Sequence, residues 1–124
     1  MVKRAHRKLD VWSESIELAT HIYQVTEKFP KTEIYGLTAQ MRRAAVSIPS
    51  NIAEGAARAS LREFSQFLNI AGGSLSELDT QVEIAHNLLF LADEQKKEIN
   101  IKIESISGKL AGLINHVKRK VAER

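Results

Sequence analysis

Apolar residues recur at steps of three and four along nearly the whole chain, the period of an amphipathic helix, and no stretch alternates as a strand would. The first run carries Val11, Leu18, Ile22, Val25 and Phe29, with Trp12, Ile16, Ala19 and Tyr23 beside them, and Asp10 stands where an N-cap would. Pro30 ends it, because a proline disfavours helical geometry in the residue before it. Residues 31–36 make a short connection with room for one helical turn. A second helix is predicted from about Leu37 to Ala57, turning Leu37, Met41, Ala44, Ala45, Ile48 and Ile52 inward. Pro49 inside it removes a backbone hydrogen bond and crowds the preceding turn, which predicts a kink between Ala45 and Pro49.

The next start signal is Ser60-Leu61-Arg62-Glu63, the spacing of a capping box. From there Leu61, Phe64, Leu68, Ala71, Leu75, Leu78, Val82, Ala85 and Leu89 keep the period without a fault. One helix from Leu61 to Leu91 is therefore predicted, about 46 Å long at 1.5 Å per residue. The last helix begins near Asp93 and repeats the pattern with Ile99, Ile103, Ile106, Leu110, Leu113 and Val117. Connections of a few residues cannot span a helix length, so the four must pack as antiparallel neighbours. The expected fold is all-α: an antiparallel up-down-up-down four-helix bundle with long helices, the second kinked at Pro49. It forms a single domain over residues 1–124, of which residues 1–9 are a basic N-terminal tail.

The third helix carries a second seam, Phe67, Ile70, Ser74, Glu77, Gln81, Ile84, Leu88 and Leu91, apolar at its ends and polar in the middle. A hairpin of the second and third helices sets Arg43 opposite Ser74 and within reach of Glu77, with Gln40 nearby. An Arg43–Glu77 pair is expected, because a half-buried charge of either sign is unfavourable alone. Adjacent helical residues point about 100° apart, so Arg42 would then be available for a subunit contact or a phosphate. Arg42, Arg43, Ser74 and Glu77 thus form a candidate polar pair or interface set. Gly72-Gly73 is unfavourable in mid-helix and predicts close approach of a neighbouring helix. Trp12, Phe67, Phe90, Ile101 and Ile114 exceed what one seam per helix needs, which predicts that some of this surface meets another subunit.

Composition narrows the chemistry. At 124 residues, 44% hydrophobic and 27% charged, the chain suits one soluble globular domain. With no cysteine it has no disulfide, thiolate zinc site or cysteine nucleophile. No apolar run approaches the roughly 20 residues of a membrane-spanning helix, and the basic start lacks the apolar core of a signal peptide. A cytoplasmic protein without membrane contact is expected. Glu83-x-x-His86 has the spacing of a di-iron motif, which needs a second copy, and His6, His21 and His116 lack a glutamate three residues before them. No arginine is followed four to six residues later by a histidine, as one type of helical ribonuclease would have, and no Gly-rich phosphate loop occurs. The expectation is no metal, no other cofactor and no enzymatic activity.

Charge matters by position. Residues 1–10 and 116–124 each carry +3 and the body −3, for +3 overall. An antiparallel bundle gathers the start of the first helix, the connection between the second and third, and the end of the fourth at one pole. That pole holds the candidate nucleic-acid-binding residues Lys3, Arg4, Arg7, Lys8, Arg58, Arg62, Lys118, Arg119, Lys120 and Arg124. The opposite pole holds Glu27, Glu33, Asp93 and Glu94, partly offset by Lys28, Lys31, Lys96 and Lys97. Two readings stay open: a cationic cap for phosphate backbone, or solvated ends whose last-turn cations simply suit the helix dipole. No aromatic residue is interleaved with the basic ones, so base readout has no support.

The motifs Tyr35-Gly36-Leu37, Arg42-Arg43-Ala44, Ser47-Ile48-Pro49, Asn51-Ile52-Ala53-Glu54-Gly55 and Gly73-Ser74-Leu75 resemble the four-helix-bundle family of 23S rRNA intervening-sequence (S23) proteins, over nearly the whole chain. That family is similar to the accessory protein of diversity-generating retroelements, a pentameric barrel with a basic, nucleic-acid-binding surface. The resemblance implies a homo-oligomer, a pentamer, with low-specificity RNA or DNA binding. The alternative function is a protein-interaction scaffold whose charged ends dock an acidic protein partner. Ala57 departs from the glycine the family has before Arg58, which would let the second helix run on.

Overall fold

The computed structural model describes residues 4–123. It contains α1 (Asp10–Thr26), α2 (Leu37–Ala56), α3 (Leu61–Asn87) and α4 (Asp93–Ala122), with 3-10 turns at Ala5–Lys8 and Lys31–Glu33. Among the described residues there is no strand. Contacts between neighbouring helices run in opposite chain order. Arg42 near the start of α2 meets Thr26 at the end of α1. Farther along α2, Ser47 meets Ser74 and Gly55 meets Phe64 and Phe67, progressively earlier positions of α3. Glu83 and His86 of α3 reach Lys96 and Asp93 of α4. Glu14 and His21 of α1 face Lys109 and Glu98 of α4.

The helical period places the core. Leu18, Ile22, Met41, Ile48, Ile52, Leu68, Leu78, Ile99 and Ile106 are wholly removed from water, and burying such a side chain contributes roughly 1.5–3 kcal/mol. Pro49 is buried within the continuous run of α2, where its missing N–H leaves the Ala45 carbonyl without its usual helical donor.

Helix ends depart from expectation where local chemistry overrides the period. Leu9, in extended geometry, is the N-cap of α1, and Asp10 is its first helical residue. The helix stops at Thr26 rather than at Pro30; Phe29 N–H donates to the Thr26 carbonyl in a turn, which lets Phe29 fold under the bundle. The α2 helix ends at Ala56, and Ala57 keeps ordinary helical angles, so its lack of glycine does not extend the helix. Ser60 accepts from Glu63 N–H at 3.1 Å and caps α3, one of the two bonds of the expected capping box. At the other end α3 stops at Asn87, short of the expected Leu91. Phe90 N–H donates to the Ala85 carbonyl and Leu89 N–H to that of His86, the two bonds of a Schellman close. Leu89 sits at φ 66° and is almost wholly exposed, while Leu91 takes the buried place expected of it. A left-handed conformation is unfavourable for leucine but free for glycine. Leu89→Gly is therefore expected to raise stability by about 1 kcal/mol, which thermal unfolding would register as a Tm gain of roughly 3–5 °C; an unchanged or lower Tm would refute the strain.

Residues Ala5–Lys8 form a 3-10 turn that lays the His6 ring 4.9 Å from Trp12 and the Arg7 guanidinium 5.2 Å from the same ring, while Ala5, Arg7 and Lys8 stay exposed. A Cβ on Gly73 would meet nothing within 4 Å, and one on Gly72 only Leu110 at 3.9 Å, so that pair marks no close approach; Gly55 does. Of the surplus apolar residues, Trp12, Phe90 and Ile114 pack against the core of their own chain and Phe67 lies beneath Arg58, leaving Ile101 exposed.

Candidate nucleic-acid interface

These antiparallel contacts set the start of α1, the α2–α3 turn and the end of α4 at one end of the bundle. Arg4, Arg7, Lys8, Arg58, Arg62, Lys118, Arg119 and Lys120 are all exposed. Lys3 and Arg124 lie outside the described residues. Of the carboxylates at the same end, Glu54 binds Arg58 at 3.0 Å and Glu123 lies 3.8 Å from Lys120, whereas Asp10 and Glu63 are exposed with no ion-pair partner among the described residues. Among the described residues Arg4, Arg7, Lys8, Arg62, Lys118 and Arg119 have no ion-pair partner. Two cations are held against rings, Arg7 on Trp12 and Arg58 on Phe67 at 4.8 Å, which limits their motion without consuming their charge.

Lys109, near the middle of α4, is held by Glu14, whose carboxyl lies below the usual glutamate range because Lys109 and then Ser105 hydrogen-bond its ionised form, against a smaller opposing effect of burial. The same bond raises the Lys109 ammonium. A depressed carboxyl stabilises the fold above its unfolded pKa of about 4.3 and loses that contribution as pH falls through its folded value. Wild type is expected to lose Tm more steeply than Glu14→Gln as pH drops below about 4.3; parallel profiles in a pH series of melts would count against the bond.

The polar set in the middle of the bundle is rearranged. Arg42, expected to be available, is the engaged arginine: its Nε donates to Thr26 Oγ1 at 2.9 Å, its Nη2 reaches the Tyr23 carbonyl and Glu27, and its guanidinium covers the Tyr23 ring at 4.6 Å. It ties α2 to the end of α1 and satisfies the buried Thr26 hydroxyl. The expected Arg43–Glu77 pair does not form. Both side chains point outward and are exposed, so neither bears the burial penalty that was to drive them together. Ser74 bonds Ser47 at 2.8 Å instead, and Asn51 donates to Ser47. Gln81 is buried; its Nε2 donates to Glu77 while its Oε1 has no donor.

At the opposite end Glu83 and His86 are taken by Lys96 at 2.8 Å and Asp93 at 2.6 Å. Lys96 holds the Glu83 carboxyl below its ordinary range. Among the described residues no three histidine or acidic side chains converge as metal ligands, and no helix is long and apolar enough to cross a membrane.

The fold and this charge distribution define the class: a four-helix bundle with one cationic end. The family described as 23S rRNA-intervening sequence protein matches residues 7–112, and the chain belongs to it. A solved structure from Bacteroides thetaiotaomicron VPI-5482, a protein of unknown function from the S23 ribosomal protein family determined at 1.70 Å, is similar. It shares 26% identity and a TM-score of 0.76, with 84% of this chain and 97% of that one covered. Among curated proteins none matches the chain significantly.

Proposed function

We propose that the protein is a non-enzymatic, homo-oligomeric binder of RNA or DNA backbone, acting in the cytoplasm through its basic end. The observation that carries this reading is the exposed group of lysines and arginines drawn from both ends of the chain and from the α2–α3 turn, most of them without an ion-pair partner among the described residues. Membership of a family described by an rRNA element agrees with it. Cations spread over three segments and lacking a planar hydrogen-bonding array suit phosphates rather than base edges, so little sequence preference is expected.

Binding of a labelled RNA followed by anisotropy over a salt series tests the proposal. Neutralising several phosphates makes log affinity fall linearly with log salt, with a slope of about −0.9 for each phosphate on duplex and about −0.7 on single strands. Absence of binding at low salt, or a flat salt response, would overturn it. Retention of an acidic protein partner by a variant that has lost RNA would favour the scaffold instead.

A further inference from the structure

We infer that the hollow between the end of α1 and the start of α2 binds a small monocarboxylate with a short apolar body, at a site separate from the basic end. The chain leaves α1 at Thr26, turns through Phe29 and Pro30 and re-enters helix at Leu37, and a hollow of about 430 Å³ lies against this reversal. Its wall is divided. Phe29, Pro30 and Ile34 supply apolar surface, while Lys31, Thr38 and Arg42 bring polar groups to the same space. An apolar lining with a few convergent polar groups, in a volume of this order, is the anatomy of a small-molecule site.

Thr38 is the residue that asks for a ligand. It is 4% exposed, yet its hydroxyl holds no hydrogen bond among the described residues and lines the hollow instead. A buried hydroxyl left without a partner is unfavourable. Arg42 stands four residues on, over the same face of α2. Its Nε is held by Thr26 and its Nη2 by the Tyr23 carbonyl and Glu27, while the guanidinium lies on the Tyr23 ring. The group is thereby fixed with Nη1 unbonded among the described residues, so little further ordering accompanies a new bond there. Charge selects the ligand. Lys31 has no ion-pair partner among the described residues, and Lys31 and Arg42 against Glu27 leave the wall one positive charge in excess. The start of α2 adds the positive end of its helix dipole. One negative charge is matched there and two are not; the apolar wall takes an aliphatic or aromatic body, and Thr38 and Arg42 Nη1 donate to the carboxylate.

Titration of the nitrogen-15-labelled protein with sodium hexanoate and with sodium benzoate, followed through amide NMR shifts, tests this, with hexanamide as the uncharged control. Saturable shifts centred on Thr38 and Arg42 are expected, with hexanamide at least about 10-fold weaker because it offers no charge-assisted bond. Thr38→Val should weaken hexanoate about 10-fold by removing one buried hydrogen bond, and Lys31→Gln about 3-fold, as suits an exposed charge. Thr38→Val removes a hydroxyl that has no partner in the free protein, so its Tm should not fall; should it fail to fold, Lys31→Gln and the hexanamide comparison carry the test. No saturable shift from either carboxylate up to about 10 mM, a concentration that detects even weak binding, would overturn the site. So would hexanamide binding as well as hexanoate, variants that bind like wild type, or shifts confined to Lys118, Arg119 and their neighbours. None of these results bears on RNA binding at the opposite end of the bundle, whose failure would likewise leave this site standing.

Discussion

Replacing Lys118, Arg119 and Lys120 together with glutamine is expected to weaken RNA binding about 100-fold near 0.1 M salt and to reduce the steepness of the salt dependence by about two to three. All three residues are exposed at the end of α4, and their one ion pair among the described residues is the long Lys120–Glu123 contact of 3.8 Å, so removing them disturbs little packing. Loss of cations from the last turn of a helix costs about 0.3–1 kcal/mol of dipole stabilisation apiece at most, too little to unfold the bundle. The measurement is anisotropy at several salt concentrations beside a melting curve. Unchanged affinity in a folded variant would move the binding surface elsewhere; loss of affinity without a change in slope would mean that phosphates are not what these side chains contact.

The second large effect concerns Gly55. A Cβ at this position would lie 2.7 Å from Phe67 Cβ, 2.9 Å from Phe64 Cδ1 and 3.3 Å from the Phe64 carbonyl oxygen. Two of those atoms sit on or beside the α3 backbone and cannot swing away, so the helices themselves would have to part. Helix propensity favours alanine over glycine by about 1 kcal/mol, yet overpacking of this kind typically costs 1–3 kcal/mol and spreads along the hairpin. Gly55→Ala is therefore expected to destabilise by about 1–2 kcal/mol net, and Gly55→Leu to abolish the native α2–α3 contact. Urea unfolding decides: a midpoint that rises in Gly55→Ala would mean that propensity wins and that the two helices are not in tight contact.

Of the fold, the helices and their inward faces were legible because burial follows the 3.6-residue period. Leu18, Ile22, Met41, Ile48, Leu68, Leu78, Ile99 and Ile106 fall on predicted positions and are wholly buried. Leu89 satisfies the same period and is exposed, because the chain closes α3 at Asn87, four residues before the expected Leu91, with a left-handed turn that no glycine announces. Periodicity reports which residues could share a face; it does not report where backbone hydrogen bonds end. Gly55 shows a related limit. It and Gly73 are equally unfavourable in a helix, and only the packed pair of helices reveals which one faces a neighbour.

The candidate site divides in the same way. Which residues are cationic, and that they cluster at the chain ends, is read from the sequence, since charge is carried by residue type. That Arg42 is engaged and Arg43 is not came from the tertiary structure. The two are adjacent and chemically identical, and the approach of Thr26 and Tyr23 from α1 distinguishes them. Likewise Lys109 is paired only because α4 lies against Glu14, 95 residues earlier in the chain. Helix identity, apolar faces and the charge of each segment are local properties that the amino-acid order determines by itself. Which polar groups pair, and which are left facing outward for a ligand or a second copy, was decided by the packing of the four helices, because a hydrogen bond or ion pair depends on ångström-scale separations between segments remote in sequence.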